Sequence, residues 1–442
     1  MEIQSITSTS SRSIGPIGTH KVENIVSEKR FKRSGISVPS VDCFIAIALT
    51  ASLLATIQLK TIGVAIFLVV TLAAAFWRRR NIIANINARL ISVVLILAMV
   101  SALWSLDPKN TLYYGAQIIL TCLAGVVLAS SENKYDTLFG VAITLICHTM
   151  ISHVFGKYVL WENGETVFVG IVGVKNYYGG VGGMTVLTSL GLAYAAINRN
   201  FRIIAAIAMF GVVVGALGLL RSKATGYTLS TLACALVIMY FNVYRVLSPR
   251  VRLGLMIYVI YAIICSSIGL LLLKDDLMRM ILHAAHKDVT LTGRTEIWDV
   301  AKAAISKRLW LGYGQEGFWV ETNPYAQAIW RLHKMAPTRS FPLHNTYLEI
   351  RANLGILGLV TYMAVFGALV FRQVRSLLRT PTTIGITWIA IAFYFFFLMA
   401  VESFNLGALN YNTFFLVIAV TMFTPKTAAI PLRYETRTAV AA

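Results

Sequence analysis

Apolar runs of the length a helix needs to cross a bilayer recur along the chain, separated by short polar or basic connections. A hydrocarbon core about 30 Å thick takes roughly twenty apolar residues per helix. On that criterion the pattern predicts spans over 41–59, 61–77, 90–106, 112–130 and 136–155, then 168–197, 203–220, 227–243 and 253–273. After a long polar stretch come 352–371, 384–401 and 405–424. The expected fold is an all-α integral membrane protein of about twelve transmembrane helices, with one large outer loop carrying short surface helices. The chain divides accordingly into a disordered tail (1–40), transmembrane helices one to nine (41–273), the loop (274–351), helices ten to twelve (352–424) and a second tail (425–442). The first tail is polar and rich in Ser and Thr, which suits a disordered segment and not a cleavable signal.

Composition agrees: 57% of residues are hydrophobic and only 13% charged, which excludes an ordinary soluble domain. The net charge of +20 does not point to nucleic acid, because the Lys and Arg residues fall between apolar runs and form no basic face. Their placement instead sets orientation. Arg78, Arg79, Arg80 and Arg89, then Arg245, Arg250 and Arg252, then Arg372, Arg375 and Arg379 all fall on one side, which makes that side, and both tails, cytoplasmic. The stretch 274–351 is then outside, with the segments around Asp107, Gly156 to Glu165, and Arg221 to Lys223. The five cysteines lie within apolar spans, so no disulfide framework is expected.

Candidate chemistry collects on that outer face. Arg221 and Lys223 stand at an outer helix end, against the charge bias, which suggests an anionic partner. In the loop, Thr292 to Trp298 opens an amphipathic segment whose Ile297, Ala301, Ala304 and Ile305 recur at helical spacing, expected to lie flat on the membrane surface. Arg294 and Trp298, four apart, share a helical face. Trp310 and the turn Gly312-Tyr313-Gly314 close the segment near headgroup depth. His344, in Pro342-Leu343-His344-Asn345-Thr346, stands at the mouth of the tenth span; an imidazole titrates near neutral pH and can serve as a general base. Lys175, Arg351 and Glu402 rank second, Arg351 because seven residues from His344 is nearly the same helical face. His148 and His153 are expected to satisfy packing only. His283 and His286 near Asp275 and Asp276 have nothing to fix a ligand geometry, so no metal site and no cofactor are expected.

In these residues the sequence resembles the O-antigen ligase and exopolysaccharide polymerase superfamily. The likeness rests on Gly293-Arg294, Trp298, His344-Asn345 and Gly355-Ile356-Leu357-Gly358, extended by Leu103-Trp104-Ser105-Leu106-Asp107-Pro108 and Gly173-Val174-Lys175-Asn176. The chain departs from the family where Ser-Arg is usual at an outer helix end and Arg221-Ser222-Lys223 stands instead, which leaves open which cation takes that arginine's role. The resemblance implies transfer of a glycan from an undecaprenyl-pyrophosphate carrier to a sugar hydroxyl, on the periplasmic face of a bacterial inner membrane. It implies His344 as base, Arg294 with Arg221 or Lys223 on the pyrophosphate, and Lys175, Asn345, Trp298 and Arg351 as substrate-binding residues. The implied partners are the lipid-linked oligosaccharide, an acceptor glycan or lipid A core, membrane lipids and other polysaccharide assembly proteins. Trp104 to Pro108 and Val174 to Gly179 look closest to the polymerase branch, with a ligase acting on lipid A core as the alternative. A secondary transporter, the alternative of another class, would concentrate ionisable groups inside its spans and show repeated halves.

Overall fold

The computed structural model describes residues 39–160, 164–244, 294–334, 336–337, 341–404 and 406–422, with 247–248, 251 and 254. The protein is an all-α polytopic membrane protein. Its helices are α1 (Val41–Trp77), α2 (Arg79–Ala84), α3 (Ile86–Val100), α4 (Pro108–Ala129), α5 (Lys134–Phe155), α6 (Lys175–Ile197), α7 (Arg202–Ser222), α8 (Thr225–Tyr244), α9 (Arg294–Lys307), α10 (Pro324–Leu332), α11 (Thr346–Arg379), α12 (Thr383–Leu398) and α13 (Tyr411–Thr421). Among the described residues eight helices are long and apolar enough to cross a membrane, and α12 and α13 are shorter apolar helices. The predicted span 253–273, the Arg245, Arg250 and Arg252 connection, Gly293, and the His283 and His286 segment lie outside the described residues.

Two of the long helices are interrupted. At 37 residues a straight α1 would run about 56 Å, nearly twice the hydrocarbon core. It breaks at Lys60 (φ 47°), and a Cβ on Gly63 would stand 2.8 Å from the Thr56 Cα, an approach possible only because the chain turns back there. The break falls between the two spans predicted as 41–59 and 61–77. Helix α11 breaks at Gly355 (φ 67°), and backbone groups freed by a break must find other partners in a membrane protein. The carbonyls of Ala352 and Asn353 accept from the amides of Tyr313 and Gly314, and the amides of Ile356 and Leu357 donate to Leu309 and Trp310. The Gly312-Tyr313-Gly314 turn is thus a plug in the broken helix, with Gly312 (φ 66°) so close that a Cβ there would lie 2.6 Å from the Asn353 backbone.

The Leu103 to Pro108 element holds the other side of that plug. The Trp104 indole donates to the Leu311 carbonyl (2.8 Å), the Leu106 amide donates to the Tyr313 carbonyl (3.1 Å), and Thr111 donates to the Gln315 carbonyl (2.7 Å). Ile297, Ala301, Ala304 and Ile305 are buried in a second core with Tyr313, Phe318, Trp330 and Leu343. That corrects the expectation that this face lies on the membrane: the apolar stripe of α9 is covered by protein.

A second correction concerns 156–174. The sixth span was predicted from residue 168, but Lys157–Leu160 (β1) and Thr166–Gly170 (β2) pair as an antiparallel hairpin, and the helix starts only at Lys175. The hairpin follows from Tyr158-Val159 and Val167-Phe168-Val169, residues that favour a pleated surface. Helix α6 is the most buried long helix, and its glycines let α7 approach backbone to backbone: a Cβ on Gly215 would lie 2.8 Å from the Gly182 carbonyl. This contact brings the end of α7 to the start of α6.

Substituting Gly355→Ala should sharply reduce the folded yield, because a Cβ would run into the Trp310 carbonyl and the residue must hold φ 67°. Gly367→Ala, in the same helix with nothing within 4 Å, should be neutral or stabilising by up to about 1 kcal/mol. Fluorescence-detected gel filtration and thermal unfolding in detergent would measure both; equal behaviour of the two variants contradicts the role given to the break.

Candidate active site

The chain reaches the candidate site along the loop that precedes α11. Leu343 is held from two sides, its carbonyl by the Trp298 indole (2.8 Å) and its amide by the Glu349 carboxylate (3.0 Å). His344 follows in the left-handed region at φ 51°, a conformation costing a non-glycine residue about 1–2 kcal/mol. Asn345 then caps α11, its side chain accepting from the Leu348 amide and donating to the Ala400 carbonyl. Thr346 completes the dock: its amide donates to Met399, its hydroxyl donates to the Glu402 carbonyl, and the Phe404 amide donates to that hydroxyl. Because His344 precedes the cap, it is not on the helix, and the expected shared helical face with Arg351 does not arise. The Arg351 Nε is buried with no hydrogen-bond partner among the described residues.

Glu402 is the centre of the arrangement. Its Oε1 accepts from Asn176 (2.9 Å) and from Arg294 (3.3 Å), and its Oε2 faces the His344 Nδ1 at 3.2 Å. Arg294 also donates to the Val401 carbonyl. A carboxylate only accepts, so the His344 Nδ1 carries the proton and its Nε2 is left with a lone pair. The three side chains are 13–20% exposed, close enough to solvent for a substrate and dry enough for electrostatics to count.

A second group stands at the ends of α5 and α7. Arg221 donates from Nε and Nη2 to the Tyr158 hydroxyl (3.2 and 3.1 Å) and from Nη1 to the His153 Nδ1 (2.8 Å), and its guanidinium lies 4.1 Å from the centre of the Phe168 ring. Among the described residues no carboxylate pairs with Arg221, whereas Lys223 is half exposed and lies 3.5 Å from Glu165. One turn of α6 links the two groups. Asn176 touches Glu402, while Tyr178 lies against Phe168 and a Cβ on Gly179 would stand 3.0 Å from the Ser222 Oγ. Lys175 begins the same turn.

The family model described as O-antigen ligase matches residues 210–363, a stretch that includes Arg221, Lys223, Arg294, Trp298, His344, Asn345, Arg351 and Gly355. The exopolysaccharide production protein ExoQ of Rhizobium meliloti (strain 1021) is 24% identical over 310 residues, 68% of this chain and 68% of that protein. The chain is thus similar to members of the O-antigen ligase and exopolysaccharide polymerase superfamily. These matches support a membrane enzyme of the glycosyltransferase type, polymerase or ligase.

The sequence ranks Glu402 second and gives His153 no role, yet Glu402 is the centre of one polar group and His153 a partner in the other. A carboxylate between two apolar runs, in Ala400-Val401-Glu402-Ser403, is expensive unless it is used, and that cost was the available signal for Glu402. Nothing local marks His153 or Tyr158 as partners of Arg221, since that pairing depends on the hairpin. Trp298 and Asn345, expected to bind substrate, donate to the backbone carbonyls of Leu343 and Ala400.

Behind the His344 turn, Glu349 also accepts from Ser403. Glu316, from the plug loop, is pushed up from 4.5 to about 7, first by burial and then by the nearby Glu349 charge. A carboxyl whose folded pKa is raised costs stability as pH rises from its unfolded value through the folded one. Glu316→Gln should therefore match the parent below pH 4.5 and be the more stable of the two above pH 7, as read by thermal unfolding across that range. Glu402→Ala should lower stability by about 1–3 kcal/mol, since it leaves Arg294 and Asn176 without their acceptor; an unchanged unfolding temperature would contradict the central place assigned to that carboxylate.

Proposed function

We propose that this protein is a polysaccharide polymerase that transfers a glycan from an undecaprenyl-pyrophosphate carrier to a sugar hydroxyl of another repeat unit, with His344 as the general base. The observation that carries the reading is the Glu402 contact to the His344 Nδ1, which leaves Nε2 to take a proton from the attacking hydroxyl. As that proton leaves, the positive charge on the imidazole is compensated by the carboxylate beside it. A base so placed contributes about 10²–10⁴ in rate.

The anomeric C–O bond breaks toward the pyrophosphate, so negative charge gathers on the leaving group. Arg221 suits that charge because no carboxylate neutralises it among the described residues, and we assign it the role left open between Arg221 and Lys223. Arg294 holds Glu402 and adds positive charge beside His344. Lys175 and Arg351 are assigned to the substrate. The counter-charge comes from the chain's own cations, and the mechanism calls on no metal or cofactor.

Arg372 to Arg379 lie at the end of α11 away from His344, and Arg78 donates to the Val127 carbonyl near the end of α4 away from Pro108, which supports a site on the periplasmic side of a bacterial inner membrane with both tails cytoplasmic. The polymerase reading is favoured over ligation to lipid A core by the resemblance of Trp104 to Pro108 and Val174 to Gly179 to that branch, and by the relative in exopolysaccharide production.

Purified protein given a lipid-linked oligosaccharide should make a ladder of products without lipid A core; a single transfer that requires core would make it a ligase. His344→Ala should insert and accumulate normally but lose about 10²–10⁴ in transfer rate. Normal product from that variant would remove the histidine from the mechanism.

A further inference from the structure

The neighbours of Arg221 show how that guanidinium is aimed. His153, near the end of α5, uses both ring nitrogens on α7: Nε2 meets the Val214 carbonyl at 3.1 Å, and Nδ1 meets the Arg221 Nη1 at 2.8 Å. A carbonyl only accepts and a guanidinium only donates, so Nε2 carries the proton and Nδ1 is bare. Val214 and Arg221 are seven residues apart on one helix and hence on nearly one face, so a single ring spans two turns of α7. The ring is itself fixed, nearly parallel to Phe168 at 6.1 Å and edge-on to Tyr178 at 6.2 Å.

Arg221 spends three of its N–H bonds on Tyr158 and His153 while its face lies on Phe168. Among the described residues two N–H bonds remain without a partner, enough for a two-point contact with phosphate oxygens. A long flexible side chain at a helix end would otherwise sample many rotamers, and fixing it beforehand removes that cost from binding.

We propose that His153 is a positioning residue for the phosphate-binding guanidinium of Arg221, held as the Nε2–H tautomer by Val214 so that its bare Nδ1 aims the arginine at the diphosphate of the lipid carrier. The proposal rests on the reading of Arg221 given above. It differs from a packing role in one respect: the atom that matters is the acceptor at Nδ1, not the bulk of the ring.

Replacements separate the two. His153→Asn keeps an acceptor near the Nδ1 position, His153→Gln keeps reach to Val214 but leaves no acceptor at that position, and His153→Leu keeps neither. The readout is the dissociation constant for undecaprenyl pyrophosphate in detergent, with thermal unfolding measured on every variant. His153→Leu and His153→Gln should weaken binding by about tenfold, the scale of one hydrogen bond to a charged group, while His153→Asn stays within about twofold of the parent. In an Arg221→Ala background His153→Leu should have no further effect on binding. The proposal is overturned if Asn is as poor as Leu while Gln behaves like the parent, or if His153→Leu weakens binding equally with and without Arg221. Unchanged binding in Arg221→Ala alone overturns the phosphate role of Arg221, and His153's positioning role with it.

Discussion

A helix that stops inside a membrane protein leaves backbone groups with nothing to bond, and at Gly355 those groups are paired by the loop from Leu309 to Gly314. Much of the site depends on that exchange. It draws the polar loop down into the broken helix, gives Trp104 and Leu106 a partner across the bundle, and sets α9 where Arg294 and Trp298 reach the chain around His344. The glycines at 312 and 355 are required for close approach and positive φ at those two positions, whatever the chemistry nearby.

On this platform a single carboxylate joins three remote parts of the chain. Asn176 from the start of α6, Arg294 from the start of α9 and His344 before α11 all meet Glu402, which lies between α12 and α13. Removing a partner from such a group leaves polar atoms half-satisfied, so its members are energetically coupled. The tight α6–α7 crossing at Gly182 and Gly215 ties Arg221 to the same neighbourhood through helix packing, with no side-chain bond needed to do it.

Much of the fold was legible because lipid-sized apolar runs are a strong signal, and the break in α1 falls between the runs 41–59 and 61–77. The hairpin at 157–170 was missed because a short apolar strand running toward a helix looks like the helix's own beginning. The apolar stripe at Ile297, Ala301, Ala304 and Ile305 was recognised as a stripe, but periodicity says that a face is covered and not what covers it. Arg294, Trp298 and His344 were singled out by motif spacing, and the structure brings them into one neighbourhood. The pairings of Glu402 with Asn176, and of His153 with Arg221, join residues 226 and 68 positions apart and could not be read from any local pattern.

His344 sits in the left-handed region between two anchored neighbours, Leu343 and Asn345. The loop therefore imposes a backbone shape that few side chains accept. Asparagine is one that does, so under the base role proposed for His344 it is the least disruptive replacement, one that removes the imidazole and leaves the shape of the turn intact.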